Sequence, residues 1–163
     1  MKNILATILL AVLSISCAKT TDNSKENIAI VEQYIQAVED LNSDGMDNLL
    51  ADNYMGYGPS YNNEINKEDV IKNWKEYSTT LYKSIDYVKS RNIAVSIPDG
   101  ENKGEWVTNW AELNIVYKEN NAEITIWANT LYQIENNKIV KSYTIYNEAD
   151  ALHQLGYMFI NDN

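Results

Sequence analysis

A change in the spacing of apolar residues along the chain restricts the possible folds more than any other feature. In the segments Asn27–Leu41 and Lys67–Leu81 the apolar residues recur every three or four positions, as they do in amphipathic helices. From Ile85 to Tyr146 the period becomes two, in blocks joined by short polar connections, which is typical of antiparallel strands. Helices followed by such a strand meander predict an α+β fold whose helices cover one face of a sheet.

The same patterns predict the bounds of the individual elements. Helices are expected over Asn27–Leu41, Met46–Ala51, Lys67–Leu81 and Glu148–Leu155, and strands over Ile85–Ile97, Glu105–Tyr117, Ala122–Ile134 and Lys138–Tyr146. The aromatic segment 53–62 is interrupted by Gly56, Gly58 and Pro59, so no long regular element is predicted there.

The N-terminus has the layout of a secretory signal. Lys2 precedes a short apolar run that begins at Ile4 and ends in small residues before Cys17, the only cysteine of the chain. The run is too short to span a bilayer as a helix. It resembles a bacterial lipoprotein signal, although Leu13 lies one residue further from the cysteine than usual. This resemblance implies lipidation of Cys17 and a location in the bacterial cell envelope, at the outer membrane.

These features divide the chain into four parts. Residues 1–16 are interpreted as the signal peptide, residues 17–26 as the lipidated cysteine and a polar, disordered tether, residues 27–157 as one domain, and residues 158–163 as a tail. Without the lysine of the signal, 12 basic residues stand against 23 acidic ones, a net charge near −11. So acidic a chain repels phosphate backbones, and binding to nucleic acid is not expected.

The C-terminal half resembles a known family. Residues 134–147 read IENNKIVKSYTIYN, similar to the turn, Gly-Lys-Ile and aromatic strand of SnoaL-like domains, and residues 152–156 read LHQLG, similar to their closing Gln-Leu-Gly. The chain is therefore identified as similar to the SnoaL-like branch of the nuclear transport factor 2-like superfamily. The resemblance implies a cone-shaped fold in which helices pack on a curved antiparallel sheet around a cavity.

Two positions depart from the family pattern. Asn137 stands where the family usually has glycine, a mild change because asparagine tolerates the left-handed backbone conformation. Asn147 stands where SnoaL-type polyketide cyclases carry the aspartate that moves a proton. An amide cannot act as a general base, so the cyclase reaction is not expected from this position.

Candidate ligand-binding residues are aromatic or amide side chains near the expected cavity. The chain has 4 Trp, 12 Tyr and 1 Phe, a composition that suits pockets in which rings are buried and polar tips stay hydrated. The candidates are Tyr54, Tyr57, Trp74, Trp110, Trp127, Asn129, Tyr143 and Asn147. Trp106 is a further aromatic that could line the pocket. Strand parity places Trp127 and Asn129 on one sheet face and Ala128 and Thr130 on the other, without indicating which face is concave.

Candidates for catalysis are few. Glu112 is expected to point inward from its strand, Glu148 adjoins Asn147, and His153 is the only histidine; each has a purely structural interpretation as well. No metal site, cofactor or phosphate loop is indicated. Three functions stay open: a non-catalytic small-molecule-binding lipoprotein, a cofactor-independent isomerase, dehydratase or cyclase, and a dimeric scaffold for another envelope protein. The apolar, aromatic meander also predicts a homodimer through a sheet face that the helices leave uncovered.

Overall fold

The computed structural model describes residues 23–158 as helices packed on a single curved sheet. The helices are α1 (Ser24–Glu39), α2 (Ser43–Leu49), α3 (Lys67–Thr80) and α4 (Glu148–Gln154). The strands are β1 (Leu50–Tyr57), β2 (Glu64–Asn66), β3 (Tyr82–Ile97), β4 (Gly104–Tyr117), β5 (Glu123–Glu135) and β6 (Lys138–Tyr146). The predicted α+β fold is confirmed. The predicted lipidation site, Cys17, lies outside the described residues.

The helices begin where their sequences supply polar caps. The side chains of Asn42, Asn66 and Asn147 accept hydrogen bonds from backbone N–H groups three residues ahead, at the starts of α2, α3 and α4. Helix α1 starts at Ser24, three residues before the predicted start. The difference arises because the prediction depended on the spacing of apolar residues and the first turn of the helix is polar. The expectation of a disordered tether up to Glu26 is therefore wrong for its last three residues. Helix α1 ends before Leu41, whose φ of 51° is not helical.

The sheet has six strands in the order β2-β1-β6-β5-β4-β3. Strands β3 to β6 form the predicted antiparallel meander, whereas β1 pairs parallel to β6 and antiparallel to β2. The expectation that residues 53–62 hold no long element is wrong for their first half, since β1 runs over eight residues to Tyr57. The glycine of this segment that does bend the chain is Gly58, with φ of 143°.

A β-bulge divides β3 into two halves. The register with β4 shifts between Val88 and Arg91, and Lys89 adopts a left-handed φ of 53°. Before the bulge, Ile85 and Tyr87 face the helices; after it, Asn92 and Ala94 do so, opposite Asn109 and Val107. The one extra residue therefore reverses the side on which every later side chain of β3 lies.

The core lies between the helices and the concave face of the sheet. Helix α1 contributes Val31, Ile35 and Val38, and the strands contribute residues such as Val107 and Ile126, all buried. This settles which face is concave: Ala128 and Thr130 point toward the helices, and Trp127 and Asn129 point away from them. The predicted alternation of β5 side chains between the two sheet faces is confirmed, and the concave face is the one that carries Ala128 and Thr130.

Candidate functional site

A cavity of about 620 Å³ lies inside the cone, between the helices and the concave sheet face. Its walls are apolar side chains such as Ile124, Ile126 and Leu113, interspersed with aromatic rings that carry hydroxyl groups. Helix α3 contributes Trp74 and Tyr77, and helix α4 closes one side with Leu152 and other residues. The size is that of a pocket for a small organic molecule.

Nine tyrosines line the cavity: Tyr34, Tyr54, Tyr57, Tyr77, Tyr82, Tyr87, Tyr117, Tyr132 and Tyr146. Burial raises the pKa of Tyr34 and Tyr132 well above the ordinary value, with a smaller contribution from neighbouring tyrosines. Burial likewise raises the pKa of Tyr87, and the carboxylate of Glu39 adds to this. These hydroxyls therefore stay protonated near neutral pH, where they can donate hydrogen bonds but cannot act as bases.

The buried polar groups of the cavity wall are paired with one another. The Tyr54 hydroxyl lies 2.7 Å from Ser142 Oγ, and Asn109 Nδ2 donates to Ser90 Oγ at 2.8 Å and to Asn92 Oδ1 at 2.9 Å. Within residues 23–158 every fully buried side-chain nitrogen and oxygen has a hydrogen-bond partner. The cavity thus offers a preformed polar arrangement set in an apolar wall.

An acidic residue stands at the rim of the cavity. Glu148 is solvent-exposed, and its Oε2 accepts a hydrogen bond from Ser60 Oγ at 3.0 Å. Ser60 belongs to the loop between β1 and β2, so this hydrogen bond connects that loop to the start of α4. Glu148 lies near enough to Tyr146 to contribute, after burial, to the raised pKa of that tyrosine. Among the described residues that line the cavity, Glu148 is the one carboxylate, and none is basic.

Three of the sequence-predicted binding residues lie on the cone cavity. Tyr54 is buried on β1, Tyr57 ends that strand, and Trp74 projects from α3. Tyr57 also borders the opposite side of the sheet, where its ring stacks on Tyr143 with centroids 4.9 Å apart. These three residues therefore border the cavity, and their role in binding a ligand stays a prediction.

Four other candidates lie on the convex face, away from the cone. Trp110 and Trp127 are 57% and 55% exposed, and their rings meet at 5.6 Å. Asn129 Nδ2 donates to Thr108 Oγ1 at 2.9 Å and to the Asn109 carbonyl at 3.1 Å. Tyr143 stacks between Tyr57 and Trp106. A role for these four in the cone cavity does not fit their positions, because β4, β5 and β6 turn alternate side chains to opposite faces.

The remaining candidates are also displaced from the interior of the cone. The expectation that Glu112 points inward is wrong: it lies on the convex face, where Lys89 Nζ is 2.7 Å from its carboxylate. Asn147 is exposed and caps α4, accepting a hydrogen bond from the Asp150 N–H at 3.1 Å, so it lies at the start of a helix and outside the cavity wall. His153 is exposed on α4.

The convex face carries a second concavity, a groove of about 890 Å³. Its floor is formed by sheet residues that include Val95, Trp106 and Leu131, and the loop after β1 forms one side. Large apolar side chains stay exposed along this face: Ile93, Val95, Trp110, Trp127 and Ile145. So many on one surface are typical of an interaction site.

Within residues 23–158 no group of three or more His, Cys, Asp or Glu side chains is placed to hold a metal ion. No helix in that part of the chain is long and apolar enough to cross a membrane.

No protein-family model matches the chain, and no curated protein has a matching sequence. Solved structures do match. A protein assigned as a polyketide cyclase from Xanthomonas campestris has a TM-score of 0.67 at 12% identity, covering 82% of this chain and 99% of that one. An epoxide hydrolase of the LEH-like type from M. tuberculosis has a TM-score of 0.60 at 13% identity, covering 82% and 91%.

A third structure is a protein of ketosteroid isomerase-like fold from Catenulispora acidiphila, solved in complex with trimethylamine. It has a TM-score of 0.61 at 16% identity, covering 79% of this chain and 93% of that one. These likenesses establish the fold, and the predicted resemblance to the cone-shaped nuclear transport factor 2-like fold of SnoaL-like proteins is confirmed.

Several lining residues were not among the sequence candidates, notably Asn109, Ser142, Tyr82, Tyr117 and Tyr132. A signal for two of them was present. Positions 107, 109, 111, 113 and 115 read Val, Asn, Ala, Leu and Ile, whereas the alternate set reads Trp, Thr, Trp, Glu and Asn. The first set is the more apolar and faces the core, so Asn109 is its polar exception; Tyr132 stands likewise in line with Ile126 and Ala128.

Proposed function

We propose that this chain is a lipid-anchored envelope protein whose cone cavity binds a small, largely apolar or aromatic molecule without transforming it. The observation that carries the proposal is the cavity of about 620 Å³, whose walls combine apolar side chains with protonated tyrosine hydroxyls. Such walls favour a ligand with an apolar body and one or two hydrogen-bond acceptors. The Catenulispora protein of the same fold, solved with trimethylamine, also supports a binding role.

The chemistry of the lining residues supports binding rather than turnover. General acid–base catalysis works best with a group that gains and loses a proton near the working pH. The tyrosines with raised pKa hold their protons there. Asn147, which the sequence resemblance aligns with the acid of SnoaL-type cyclases, is an exposed helix cap. The described residues that line the cavity therefore supply hydrogen-bond donors, and no buried carboxylate or histidine is among them.

The four tryptophans provide a direct test of binding. Trp74 lies on the cone cavity, and Trp106, Trp110 and Trp127 lie on the convex face, so the indole N–H resonances in NMR report on both surfaces at once. Titration with a neutral aromatic probe, benzyl alcohol, should shift the Trp74 resonance and leave the other three in place. Shifts confined to the convex tryptophans, or none at all, would contradict the proposal.

Two variants at adjacent positions complete this test. Ala128→Leu fills part of the cavity and should weaken the binding of benzyl alcohol about tenfold. This factor corresponds to the binding free energy of the one or two methylene contacts that the leucine displaces. Trp127→Leu changes the opposite face and should leave binding unchanged. Equal effects of the two variants would indicate a general loss of stability instead of a blocked pocket.

The competing function is catalysis by Glu148, and one observation favours it. Glu148 is a carboxylate at the cavity rim, held by Ser60 and close to Tyr146. If the protein turns over an enolisable ketone or an epoxide and Glu148→Gln abolishes that activity while binding persists, the binding-only function is replaced by an acid–base enzyme.

The lipid anchor is a separate part of the proposal. The short apolar run before Cys17 is its support. Expressed in a bacterium, the natural chain should fractionate with membranes and Cys17→Ser should not be lipidated. A wholly soluble protein with a free thiol at Cys17 would refute the anchor without affecting the cavity.

The remaining part of the proposal is a homodimer that forms through the convex face. The exposed apolar side chains of β3 to β6 on that face support it, with Trp110 and Trp127 at its centre. A scaffold for another envelope protein is the alternative use of the same surface, and it would leave the chain monomeric when purified alone.

A further inference from the structure

We infer that the ligand of the cone cavity is an organic cation, a substituted ammonium with an apolar body, held by an aromatic cluster beside Glu148. The aromatic cluster consists of Trp74, Tyr77, Tyr82 and Tyr117. This inference rests on the proposed binding function and assigns the chemical class of its ligand.

The rings of the aromatic cluster are arranged around one another without face-to-face stacking. Tyr82 is central: its ring lies 6.0 Å from Trp74, 6.0 Å from Tyr77 and 5.6 Å from Tyr117, with interplanar angles of 39°, 80° and 45°. Trp74 and Tyr77 meet nearly edge-on, at 72°. None of these four contacts is a parallel stack, and all four rings border the cavity. The face of an aromatic ring is electron-rich, and where it borders a cavity it attracts a cation.

The charges around the cavity also favour a cationic ligand. The carboxylate of Glu148 stands at the rim, and no lysine, arginine or histidine is among the described residues that line the cavity. The three lysines next in sequence to the cluster are occupied elsewhere. Lys75 Nζ lies 3.5 Å from the carboxylate of Asp44. Lys83 Nζ donates to Asn121 Oδ1 at 2.7 Å, and Lys118 Nζ donates to the carbonyl oxygens of Ser78 and Thr79. An anionic ligand would therefore find no counter-charge, whereas a cation finds one.

The protonation state of the cluster agrees with this assignment. Burial raises the pKa of Tyr82, and the nearby hydroxyls of Tyr117, Tyr146 and Tyr77 raise it further. The Tyr82 ring therefore remains a neutral phenol at physiological pH, and the charge of the site comes from the carboxylate of Glu148. A neutral aromatic wall beside a single carboxylate is the arrangement that binds substituted ammonium groups, because such ions are weakly hydrated and lose little on leaving water.

The test uses three probes of nearly equal shape on the full chain. Choline is the cation, 3,3-dimethylbutan-1-ol is its uncharged carbon analogue, and 3,3-dimethylbutanoate is the corresponding anion. Affinities are measured from the shift of the Trp74 indole resonance. Choline should bind about tenfold more tightly than the alcohol, an advantage on the order of one cation–π contact, and the anion should not bind.

Two kinds of variant separate the contributions of charge and ring. Glu148→Gln keeps the side-chain size and should reduce the preference for choline over the alcohol severalfold. Tyr117→Leu, or Tyr82→Leu if it folds, should weaken the binding of choline more than the binding of the alcohol. Trp110→Leu on the convex face should change neither affinity. The convex indole resonances that each variant retains verify its fold.

The outcomes distinguish this inference from the function on which it rests. Equal affinity for choline and the alcohol, or tighter binding of the alcohol, overturns the ammonium assignment while leaving a neutral-ligand cavity intact. If benzyl alcohol also fails to shift Trp74, the binding function itself fails. A preference for choline that survives both Glu148→Gln and removal of a cluster ring would overturn the assigned site.

Discussion

The two faces of the sheet differ in chemistry, because alternate residues of each strand point to opposite faces. On the concave face, tyrosine hydroxyls and amides are paired within an apolar wall around a cavity. On the convex face, tryptophan and aliphatic side chains are exposed, with the ion pair of Lys89 and Glu112 beside Trp127. The comparison teaches that one sheet can enclose paired hydroxyl and amide groups on one face and leave large apolar side chains exposed on the other.

The largest expected difference between the faces concerns stability, and it can be measured at two adjacent residues of β5. Ile126 is 6% exposed on the concave face, so Ile126→Ala should lower the free energy of unfolding by about 2–5 kcal/mol. Trp127→Ala on the other face should cost less than about 1 kcal/mol in dilute protein. Urea denaturation of both variants provides the measurement, and similar losses would mean that the convex face is packed in the folded protein.

The convex face should matter for assembly. If it forms a homodimer, Trp127→Glu places a charge in the interface and should weaken self-association at least about 100-fold, or roughly 2.7 kcal/mol. Sedimentation equilibrium of the natural chain and this variant measures the effect. Ala29→Glu, at an exposed position of α1 on the helical side of the molecule, is the control and should dimerise normally. A natural chain that stays monomeric at tens of micromolar would remove the dimer from the proposal.

The tyrosines of the concave face should make the protein sensitive to alkali. Because Tyr34, Tyr87 and Tyr132 have a raised pKa when folded, the unfolded chain releases their protons first, above pH about 10. Their contribution to stability is complete below that pH and declines above it, by up to about 1.4 kcal/mol per pH unit for each tyrosine. Urea midpoints at pH 9, 10 and 11 should fall in that order, and Tyr132→Phe should make the decline shallower.

The smallest effect is expected at Asn147, which lies on neither sheet face. Asn147→Ala removes the cap of α4 and should cost about 1 kcal/mol, whereas Asn147→Asp keeps an oxygen acceptor and should stay within about 0.5 kcal/mol of the natural chain. No gain in proton-transfer activity is expected from Asn147→Asp, because the side chain is exposed and engaged at the helix start. Activity on an enolisable ketone appearing in that variant alone would show that an acid at position 147 is sufficient for proton transfer.

Sequence reasoning predicted the meander and the helices because both depend on local spacing. Strand β6 was predicted with its observed bounds and β3, β4 and β5 to within three residues, whereas β1 and β2 were not predicted. Strand β1 was missed because its pairing with β6 is parallel and joins residues far apart in the chain, such as Gly56 and Ser142. Nothing local in a segment broken by glycines indicates such a partner.

The candidate site was predicted less completely than the fold. Aromatic content indicated Tyr54, Tyr57 and Trp74 but equally Trp110 and Trp127, because ring chemistry does not reveal which face of a strand a residue occupies. Glu112 was misplaced for the same reason: it was read singly instead of with its alternate neighbours Trp110 and Asn114. The two sets of alternate residues in β4 differ in polarity, and comparing them assigns Trp110 and Glu112 to the convex face.

The bulge at Lys89 allows the length of β3 to vary at one point without turning its side chains over. Deleting Lys89 would place Ser90 opposite Ala111, between the observed pairs Val88–Glu112 and Arg91–Trp110, and the ladder would continue without interruption. Asn92 would still reach Asn109, and Ile93 and Val95 would stay on the convex face. Deleting a residue from a regular part of the strand would instead turn every later side chain to the other face. The groove and the cavity therefore tolerate a one-residue change of length at the bulge better than elsewhere in β3.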